Sequence, residues 1–218
     1  VQTAVTYNDI QNMAAAAKKY DFICAFAMPC FTEKLGALLK GSKVMLGGVT
    51  GFPSGADTTA QKVECTNYLK SIGCDEIDMV INVGALLSGD DSFVYDDIKA
   101  VVEAARPLPV KSILECAYLT DAEIRRACMA AVDAGVAFVK SGTGWANKPT
   151  TIENIKLMKE TVKDTAHIKA AGGVRSLTIL EDMYNEGCTR FGIGVKSALA
   201  IFKEACERDG AVFKQEEI

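Results

Sequence analysis

The chain has 218 residues, of which 49% are hydrophobic and 24% charged, a composition typical of a globular protein with one sizeable core. A net charge of -4 and an isoelectric point near 5.2 provide no basic patch, so we do not expect nucleic acid as a partner. No run approaches the ~18 consecutive apolar residues of a membrane span. Residues 1–20 also lack the basic start and long apolar stretch of a signal peptide.

Short β-branched runs alternate with helical patterns along the chain, beginning with a helix predicted over residues 8–20. Equivalent points in four consecutive strand candidates, Asp78, Lys111, Lys140 and Lys169, are 33, 29 and 29 residues apart. That spacing matches one strand plus one return helix of roughly 30 residues. The sequence predicts seven strands, at 22–26, 44–49, 76–81, 110–115, 138–141, 167–171 and 190–194.

Two capping boxes are predicted to begin helices in the second half of the chain. Thr120 is followed three residues later by Glu123, and an apolar stripe then runs to Gly135, a typical helix end. Thr150 and Glu153 have the same spacing. We therefore expect helices to start just after Thr120 and just after Thr150.

This alternation predicts a parallel sheet with helices packed outside it, in a single domain spanning residues 1–218. The expected fold class is α/β, a (β/α)8 TIM barrel, and an open doubly wound sheet is the alternative. Only seven strands are predicted, and the chain starts almost directly in a helix. The first barrel strand is therefore expected to be missing or poorly matched, as an amino-terminal truncation of a barrel would produce.

The eight cysteines include no C-x-x-C pair, and His167 is the single histidine. No Cys/His metal cluster can be assembled from such a set, so we predict no metal site. Several cysteines have apolar neighbours, as Cys128 does. Free, buried thiols in a reducing cytoplasm are the expectation.

Lys140 and Lys169 each lie at or near the end of an apolar strand, the position where barrel enzymes carry their catalytic side chains. Their strands are consecutive, so their ammonium groups are expected to be neighbours. A second cation in a partly dry site lowers the pKa of a lysine, and the neutral amine can attack an aldehyde to form an imine. One strand-end lysine would more simply extend to solvent. Two on adjacent strands, each before a glycine-rich turn, favour catalysis.

The turns after these two lysines are predicted to hold an anion. Backbone amides of Gly172 and Gly173 can approach a ligand closely, and Arg175 adds charge. Barrels commonly bind phosphate in the loops after the seventh and eighth strands. Glycine-rich turns alone are weak evidence, because glycine also serves tight turns.

Asp78 is the predicted proton carrier, since proton transfer needs a carboxylate near the reacting amine. Alternation within its strand directs Asp78 away from Ile77 and Met79. A carboxylate inside a barrel is costly unless it is paired, so Asp78 either pairs with a lysine or exchanges protons in the site. Lys111 and Glu115 could complete a charged barrel interior.

Together these segments resemble the 2-deoxyribose-5-phosphate aldolase family. Each match is weak alone, but they occur in the family's order and cover most of the chain from about residue 22 to residue 194. The matching segments are Gly-Phe-Pro-Ser-Gly at 51–55, Asp-Glu-Ile-Asp-Met-Val-Ile-Asn at 75–82, Ile-Leu-Glu at 113–115, Phe-Val-Lys-Ser-Gly-Thr-Gly at 138–144 and Lys-Ala-Ala-Gly-Gly-Val-Arg at 169–175.

The resemblance implies a lyase of the class I aldolase type, acting in deoxyribonucleotide catabolism. Lys140 would form the Schiff base with acetaldehyde, Lys169 would lower its pKa and assist proton transfer, and Asp78 would relay protons. The implied reaction is reversible cleavage of 2-deoxy-D-ribose 5-phosphate to acetaldehyde and D-glyceraldehyde 3-phosphate. No metal or organic cofactor is implied, because the protonated imine itself accepts the electron pair.

Two departures from the family concern the first strand and the phosphate end. Nothing before the first helix matches the family's Asp-His-Thr-like segment. Gly194 and Val195 stand where the family usually has paired serines, and Trp145 is large for a loop that lines a phosphate. The residues predicted to bind the substrate and its phosphate are Thr143, Gly172, Gly173, Arg175, Gly192, Gly194 and Val195.

Two other functions are therefore kept open. One is a related Schiff-base aldolase acting on a different or unphosphorylated aldehyde. The other is a barrel that binds a phosphorylated ligand without covalent chemistry, as an isomerase or a binding module, with both lysines serving as electrostatic clamps. We expect small sugar phosphates and aldehydes as ligands, a cytoplasmic location, no membrane association, and a homodimer or higher homo-oligomer as a possible assembly.

Overall fold

A computed structural model of the chain describes residues 1–213. Seven parallel strands form one sheet in which spatial order follows chain order. The strands are β1 Cys24–Phe26, β2 Met45–Thr50, β3 Glu76–Val80, β4 Val110–Ile113, β5 Phe138–Lys140, β6 His167–Ala171 and β7 Cys188–Gly192. The helices are α1 Tyr7–Lys19, α2 Pro29–Leu39, α3 Thr59–Ser71, α4 Val83–Leu87, α5 Asp91–Ala105, α6 Asp121–Ala134, α7 Ile152–Val162, α8 Leu177–Asn185 and α9 Val195–Arg208, with a 3₁₀ turn at Cys116–Tyr118.

The predicted β/α barrel architecture is confirmed, as a curled parallel sheet of seven strands. Each predicted strand coincides with an observed one, although β7 begins two residues earlier than expected, at Cys188. Within residues 1–213 no ladder joins β7 to β1. In the described part of the chain, α1 is the first regular element and β1 follows it.

Alternation along β3 explains why the sheet can carry charges. Ile77 and Met79 are fully buried and belong to the hydrophobic core. Asp78, between them in sequence, projects to the opposite face, because successive side chains of a strand point to opposite sides of the sheet. One face of β3 thus packs apolar core while the other carries the polar interior.

One of the two predicted helix caps lies one residue away from its predicted position. Helix α6 begins with the expected Thr120–Glu123 capping box. Helix α7, however, is capped by Thr151 and Asn154. The Thr150 hydroxyl is occupied elsewhere: it lies 2.6 Å from the carbonyl of Ala171, to which it donates. Thr150 therefore ties the loop after β5 to the end of β6.

All eight cysteines are free, as predicted. The prediction that the cysteines are buried holds for only four of them, and Cys30 is exposed in the first turn of α2. Among residues 1–213, none of the helices combines the length and apolar character needed to cross a bilayer.

A buried ion pair outside the barrel interior links α3, α5 and β3. Lys62 Nζ lies 2.6 Å from Asp97 Oδ2 and donates to the carbonyl of Val80 at 3.1 Å. Asp97 also accepts a hydrogen bond from Thr59 at 2.7 Å. With 0% and 1% exposure for the two charged side chains, each needs the other to offset its desolvation.

We expect Asp97→Ala to lower the free energy of unfolding by about 3–5 kcal/mol, because it leaves the Lys62 ammonium buried without its counter-ion. Urea denaturation followed by circular dichroism measures this change. Glu103→Ala, which removes an exposed pair with Lys99 on the same helix, is the control and should cost less than about 1 kcal/mol. The double substitution Lys62→Met with Asp97→Leu, which replaces both charges by apolar side chains, should recover most of the loss. Equal effects of Asp97→Ala and Glu103→Ala would contradict this account.

Candidate active site

Four charged side chains converge on the interior face of the sheet from β3, β4, β5 and β6. The strand register pairs Asp78 with Lys111 and Lys140 with Lys169. Strand β4, which carries Lys111, lies beside β5, where Lys140 is the register partner of Ile113. The two pairs therefore lie on neighbouring strands. The residues predicted from strand-end positions are therefore brought together by the sheet.

Asp78 lies at the centre of this cluster. Its Oδ2 atom is 2.8 Å from Lys140 Nζ and 2.7 Å from Lys169 Nζ, while Oδ1 is 3.3 Å from Lys111 Nζ. The two ammonium nitrogens can be no farther apart than the sum of the first two distances, well inside the ~8 Å at which salt screens exposed charges. Close coupling of Lys140 and Lys169, expected from the sequence, is present in the structure.

A second layer of charge lies around Glu76, also on β3. Glu76 is 2.7 Å from Lys111 and 3.6 Å from the Arg190 guanidinium of β7. Lys111 thus joins the charged interior as predicted, bridging Glu76 and Asp78. The cluster holds more basic than acidic side chains, so its interior potential disfavours further positive charge.

The pKa of Lys140 is lowered from its ordinary 10.5 to about 8. Burial is the largest cause, because the side chain is removed from water and the charged form is penalised. Asp78 opposes this shift, whereas Lys169 and then Lys111 add to it. The neighbouring lysine acts in the predicted direction, but desolvation is the greater effect.

Asp78 remains ionised at neutral pH. Its complete burial acts to raise the pKa of the carboxyl, but ion pairs with Lys140, Lys169 and Lys111 together outweigh burial and hold that pKa well below its ordinary range. A carboxylate of this kind anchors ammonium groups strongly and holds a proton only transiently.

A cavity of about 1260 Å³ opens beside the two lysines. Asp78 is fully buried behind the cavity wall, and it contacts Lys140 and Lys169, which line the cavity. Every residue predicted to bind substrate or phosphate contributes to the lining, namely Thr143, Gly172, Gly173, Arg175, Gly192, Gly194 and Val195.

Glu115 binds the loop that follows β5. The Glu115 carboxylate accepts hydrogen bonds from the backbone amide of Thr143 at 3.2 Å and from its hydroxyl. Glu115 has φ of 56°, an unfavourable value for a residue with a side chain. The sequence-based expectation that Glu115 lies in the charged interior was thus wrong: the left-handed backbone turns its carboxylate onto the neighbouring loop.

Two glycines after β6 are required by their backbone geometry. Gly172 and Gly173 have φ of 88° and 99°, values that side chains strongly disfavour. A Cβ at Gly173 would also approach the Pro149 side chain to 2.5 Å. Both amides therefore border the cavity in a conformation that glycine alone supplies readily.

The amino terminus of α9 faces the same cavity. Its N-cap, Gly194, provides no side-chain hydrogen bond, so the first-turn amides of this 14-residue helix have no cap from that residue. Such amides attract anions. Arg175 is exposed at the cavity rim, and Val195 presents an apolar side chain.

Sequence reasoning missed two aromatic contributions to the cavity. The ring of Phe52 packs edge-on against Trp145, with centroids 5.8 Å apart. Phe26 of β1 lies over Lys169, with 4.2 Å from Nζ to the ring centroid. A usable signal for Phe26 was the glycine at position 47 inside a strand, since such a glycine often marks a close approach by another group.

Fold and site together define a parallel β/α barrel protein with a buried lysine–carboxylate cluster on the interior face of its sheet. A sequence model described as DeoC/LacD family aldolase matches residues 3–204, and the chain belongs to that family.

Relatives share both sequence and fold across most of this chain. A deoxyribose-phosphate aldolase from Sinorhizobium medicae is 44% identical over 212 residues, covering 97% of this chain and 86% of the relative. A tetrameric deoxyribose phosphate aldolase from Aeropyrum pernix superposes with a TM-score of 0.85 at 26% identity, covering 94% of this chain and 86% of that one. The aldolase QR15 has a TM-score of 0.89 at 27% identity, covering 95% and 92%.

The pKa of Lys140 predicts how the reactivity of its amine depends on pH. With a pKa of about 8, roughly a tenth of Lys140 is neutral at pH 7 and about half at pH 8, against less than about a thousandth at pH 7 for an ordinary lysine. Competitive labelling with an acylating reagent, mapped by mass spectrometry, should give a midpoint near pH 8. Surface lysines in the same digest provide the reference.

Two variants should move this midpoint in opposite directions. Asp78→Asn removes the anion that stabilises the Lys140 ammonium, so the midpoint should fall. Lys169→Met removes a cation that lowers the pKa of Lys140, so the midpoint should rise. Shifts of the same sign in both variants would refute the electrostatic account.

Proposed function

We propose that this protein is a class I (Schiff-base) deoxyribose-phosphate aldolase. It reversibly cleaves 2-deoxy-D-ribose 5-phosphate into acetaldehyde and D-glyceraldehyde 3-phosphate. The observation that carries the proposal is the buried Lys140 amine, whose lowered pKa and shared partner Asp78 place a reactive nucleophile in the wall of an anion-compatible cavity. Relatives named for this activity cover most of the chain.

In the cleavage direction, the neutral Lys140 Nζ attacks C1 of the open-chain sugar, and loss of water leaves a protonated imine. The 3-hydroxyl then loses its proton, the C2–C3 bond breaks, and C3 becomes the aldehyde carbon of glyceraldehyde 3-phosphate. The bonding pair passes towards the imine nitrogen and leaves an enamine. Protonation of C2 and hydrolysis of the imine release acetaldehyde and the free lysine. In this scheme the imine is the electron sink, and neither metal nor organic cofactor takes part.

Lys169 and Asp78 support Lys140 in different ways. Lys169 keeps a positive charge close to Lys140 and so favours the neutral nucleophile. It shares the carboxylate oxygen of Asp78 with Lys140 and can donate a proton to the reacting nitrogen. Asp78 orients both lysines. Relay of a proton through Asp78 requires only brief protonation of Oδ2, in keeping with its depressed pKa.

The phosphate is proposed to bind at the end of the cavity formed by the loops after β6 and β7. Amides of Gly172, Gly173 and the α9 amino terminus donate hydrogen bonds to its oxygens, and Arg175 supplies an exposed positive charge. Thr143 and Gly192 complete the wall between this end and Lys140.

Reductive trapping tests the Schiff base directly. Acetaldehyde with borohydride should add a single ethyl group at Lys140, read by intact mass and peptide mapping. Lys140→Ala should lose this adduct and lower kcat by at least about three orders of magnitude. Lys203→Ala, on the exposed side of α9, is the matched control and should leave both unchanged.

Failure to trap wild type would favour the non-covalent alternative, a barrel that binds a phosphorylated ligand with its lysines as clamps. An adduct that persists undiminished in Lys140→Ala would instead remove Lys140 from the role of nucleophile.

A related Schiff-base aldolase for a different or unphosphorylated aldehyde is the second candidate. It is favoured by Val195, Phe52 and Trp145, whose apolar side chains line part of the cavity and suit a phosphate poorly. The Lys140 chemistry would be identical, and only the far end of the substrate would differ.

Comparison of 2-deoxyribose 5-phosphate with 2-deoxyribose separates the two candidates. A deoxyribose-phosphate aldolase should prefer the phosphorylated sugar in kcat/KM by at least about 100-fold, since a charged hydrogen-bonded group is recognised. Arg175→Ala should reduce kcat/KM for the phosphorylated sugar by about tenfold and leave that for deoxyribose nearly unchanged. Arg208→Ala, at the far end of α9, is the control. No gain from the phosphate would establish the second candidate.

The expected assembly and location also remain proposals. The Aeropyrum pernix relative is tetrameric, which supports a homo-oligomer here. Eight free cysteines are consistent with the cytoplasmic location expected from the sequence.

A further inference from the structure

Phe26 lies in the cavity beside the lysine cluster, although nothing in the proposed chemistry uses it. It is the last residue of β1 and is half-buried, so one side of its ring borders the cavity. Its ring centroid is 4.2 Å from Lys169 Nζ, 5.7 Å from Lys111 Nζ and 6.0 Å from Lys140 Nζ. An ammonium within about 6 Å of a ring face is attracted, and more strongly when shielded from water.

The neighbouring strand is shaped around this ring. Gly47 of β2 is the register partner of Phe26. A Cβ at Gly47 would lie only 2.2 to 2.5 Å from three ring atoms, so any side chain there would displace the ring. The lack of a side chain at Gly47 therefore leaves the space that the Phe26 ring occupies.

The carboxylate at the centre of the site does not distinguish the two lysines. Asp78 Oδ2 is 2.8 Å from Lys140 and 2.7 Å from Lys169, which makes the two ion pairs nearly equivalent. Asp78 can therefore hold one proton-bearing lysine as well as the other. Selecting which amine is neutral needs a group that acts unequally on them.

The other basic side chains near Lys169 do not favour its positive charge. Arg190 on β7 is its register partner and is itself paired with Glu76, while Lys140 and Lys111 share Asp78 with it. All three cations oppose a further positive charge at Lys169. The Phe26 ring, in contrast, attracts the Lys169 ammonium from 4.2 Å. Lys140 Nζ is 6.0 Å from the same ring, at the outer limit of a cation–π interaction.

We propose that Phe26 is a positioning residue that keeps the proton on Lys169 and thereby leaves Lys140 as the neutral nucleophile. The inference rests on the proposed Schiff-base function, and it assigns the choice of lysine to the aromatic ring. Loss of the ring should let the proton redistribute towards Lys140 and expose the Lys169 amine to the aldehyde.

The test is the distribution of trapped adducts between the two lysines. Wild type, Phe26→Leu and Phe26→Tyr are treated with acetaldehyde and cyanoborohydride at pH 7, and the ethyl groups on Lys140 and Lys169 are quantified by peptide mapping. Phe26→Leu should raise the Lys169-to-Lys140 ratio about 3- to 10-fold, the range expected for loss of one partly shielded cation–π contact. Phe26→Tyr retains the ring face and should keep the wild-type ratio.

Gly47→Ala provides an independent second variant, because it keeps Phe26 and displaces the ring. It should change the ratio in the same direction as Phe26→Leu, and it serves alone if Phe26→Leu does not fold by circular dichroism. A fall in total adduct at an unchanged ratio in the folded variants would show a merely structural role and overturn the proposal. Absence of any adduct on wild type would refute the proposed function instead, so the two failures are distinguishable.

Discussion

One carboxylate oxygen, Asp78 Oδ2, constrains the whole site. It accepts from two ammonium groups at hydrogen-bond distance in a place with no exposure to water. A buried carboxylate is tolerated only when paired, and its pairing in turn holds two cations closer together than they would remain alone. Strands β3, β5 and β6 must therefore keep their register, because a slip of one residue would turn these side chains to the opposite face of the sheet.

The barrel provides the rigidity that such an arrangement needs. A second layer, Glu76 with Lys111 and Arg190, supports Asp78 from below and raises the positive charge of the interior. Elsewhere, Lys62 of α3 forms an ion pair with Asp97 of α5 and donates a hydrogen bond to the carbonyl of Val80 at the end of β3. Buried ion pairs of this kind add less stability than apolar packing of the same volume, so their concentration around Asp78 is consistent with a functional site.

The two ends of the cavity are built on different principles. Around Lys140 the partners are short, buried ion pairs, and they fix the amine and its lowered pKa. The predicted phosphate end is instead lined by backbone amides, an exposed arginine and the aromatic pair Phe52–Trp145. The end proposed to form the imine thus tolerates little change, whereas the other end can be adapted to a different aldehyde.

The sequence by itself determined the alternation of strands and helices, the placement of Lys140 and Lys169 on consecutive strands, and the direction of Asp78 away from Ile77 and Met79. These features depend on local periodicity and on a repeat of about 30 residues. Only the tertiary structure decided that Thr151 rather than Thr150 caps α7, and that Phe26 lies against Lys169. Thr150 is drawn away from the cap by the carbonyl of Ala171, 21 residues later, and Phe26 meets Lys169 across the sheet. Both contacts join segments far apart in sequence and depend on the curvature and register of the sheet, which no local pattern encodes.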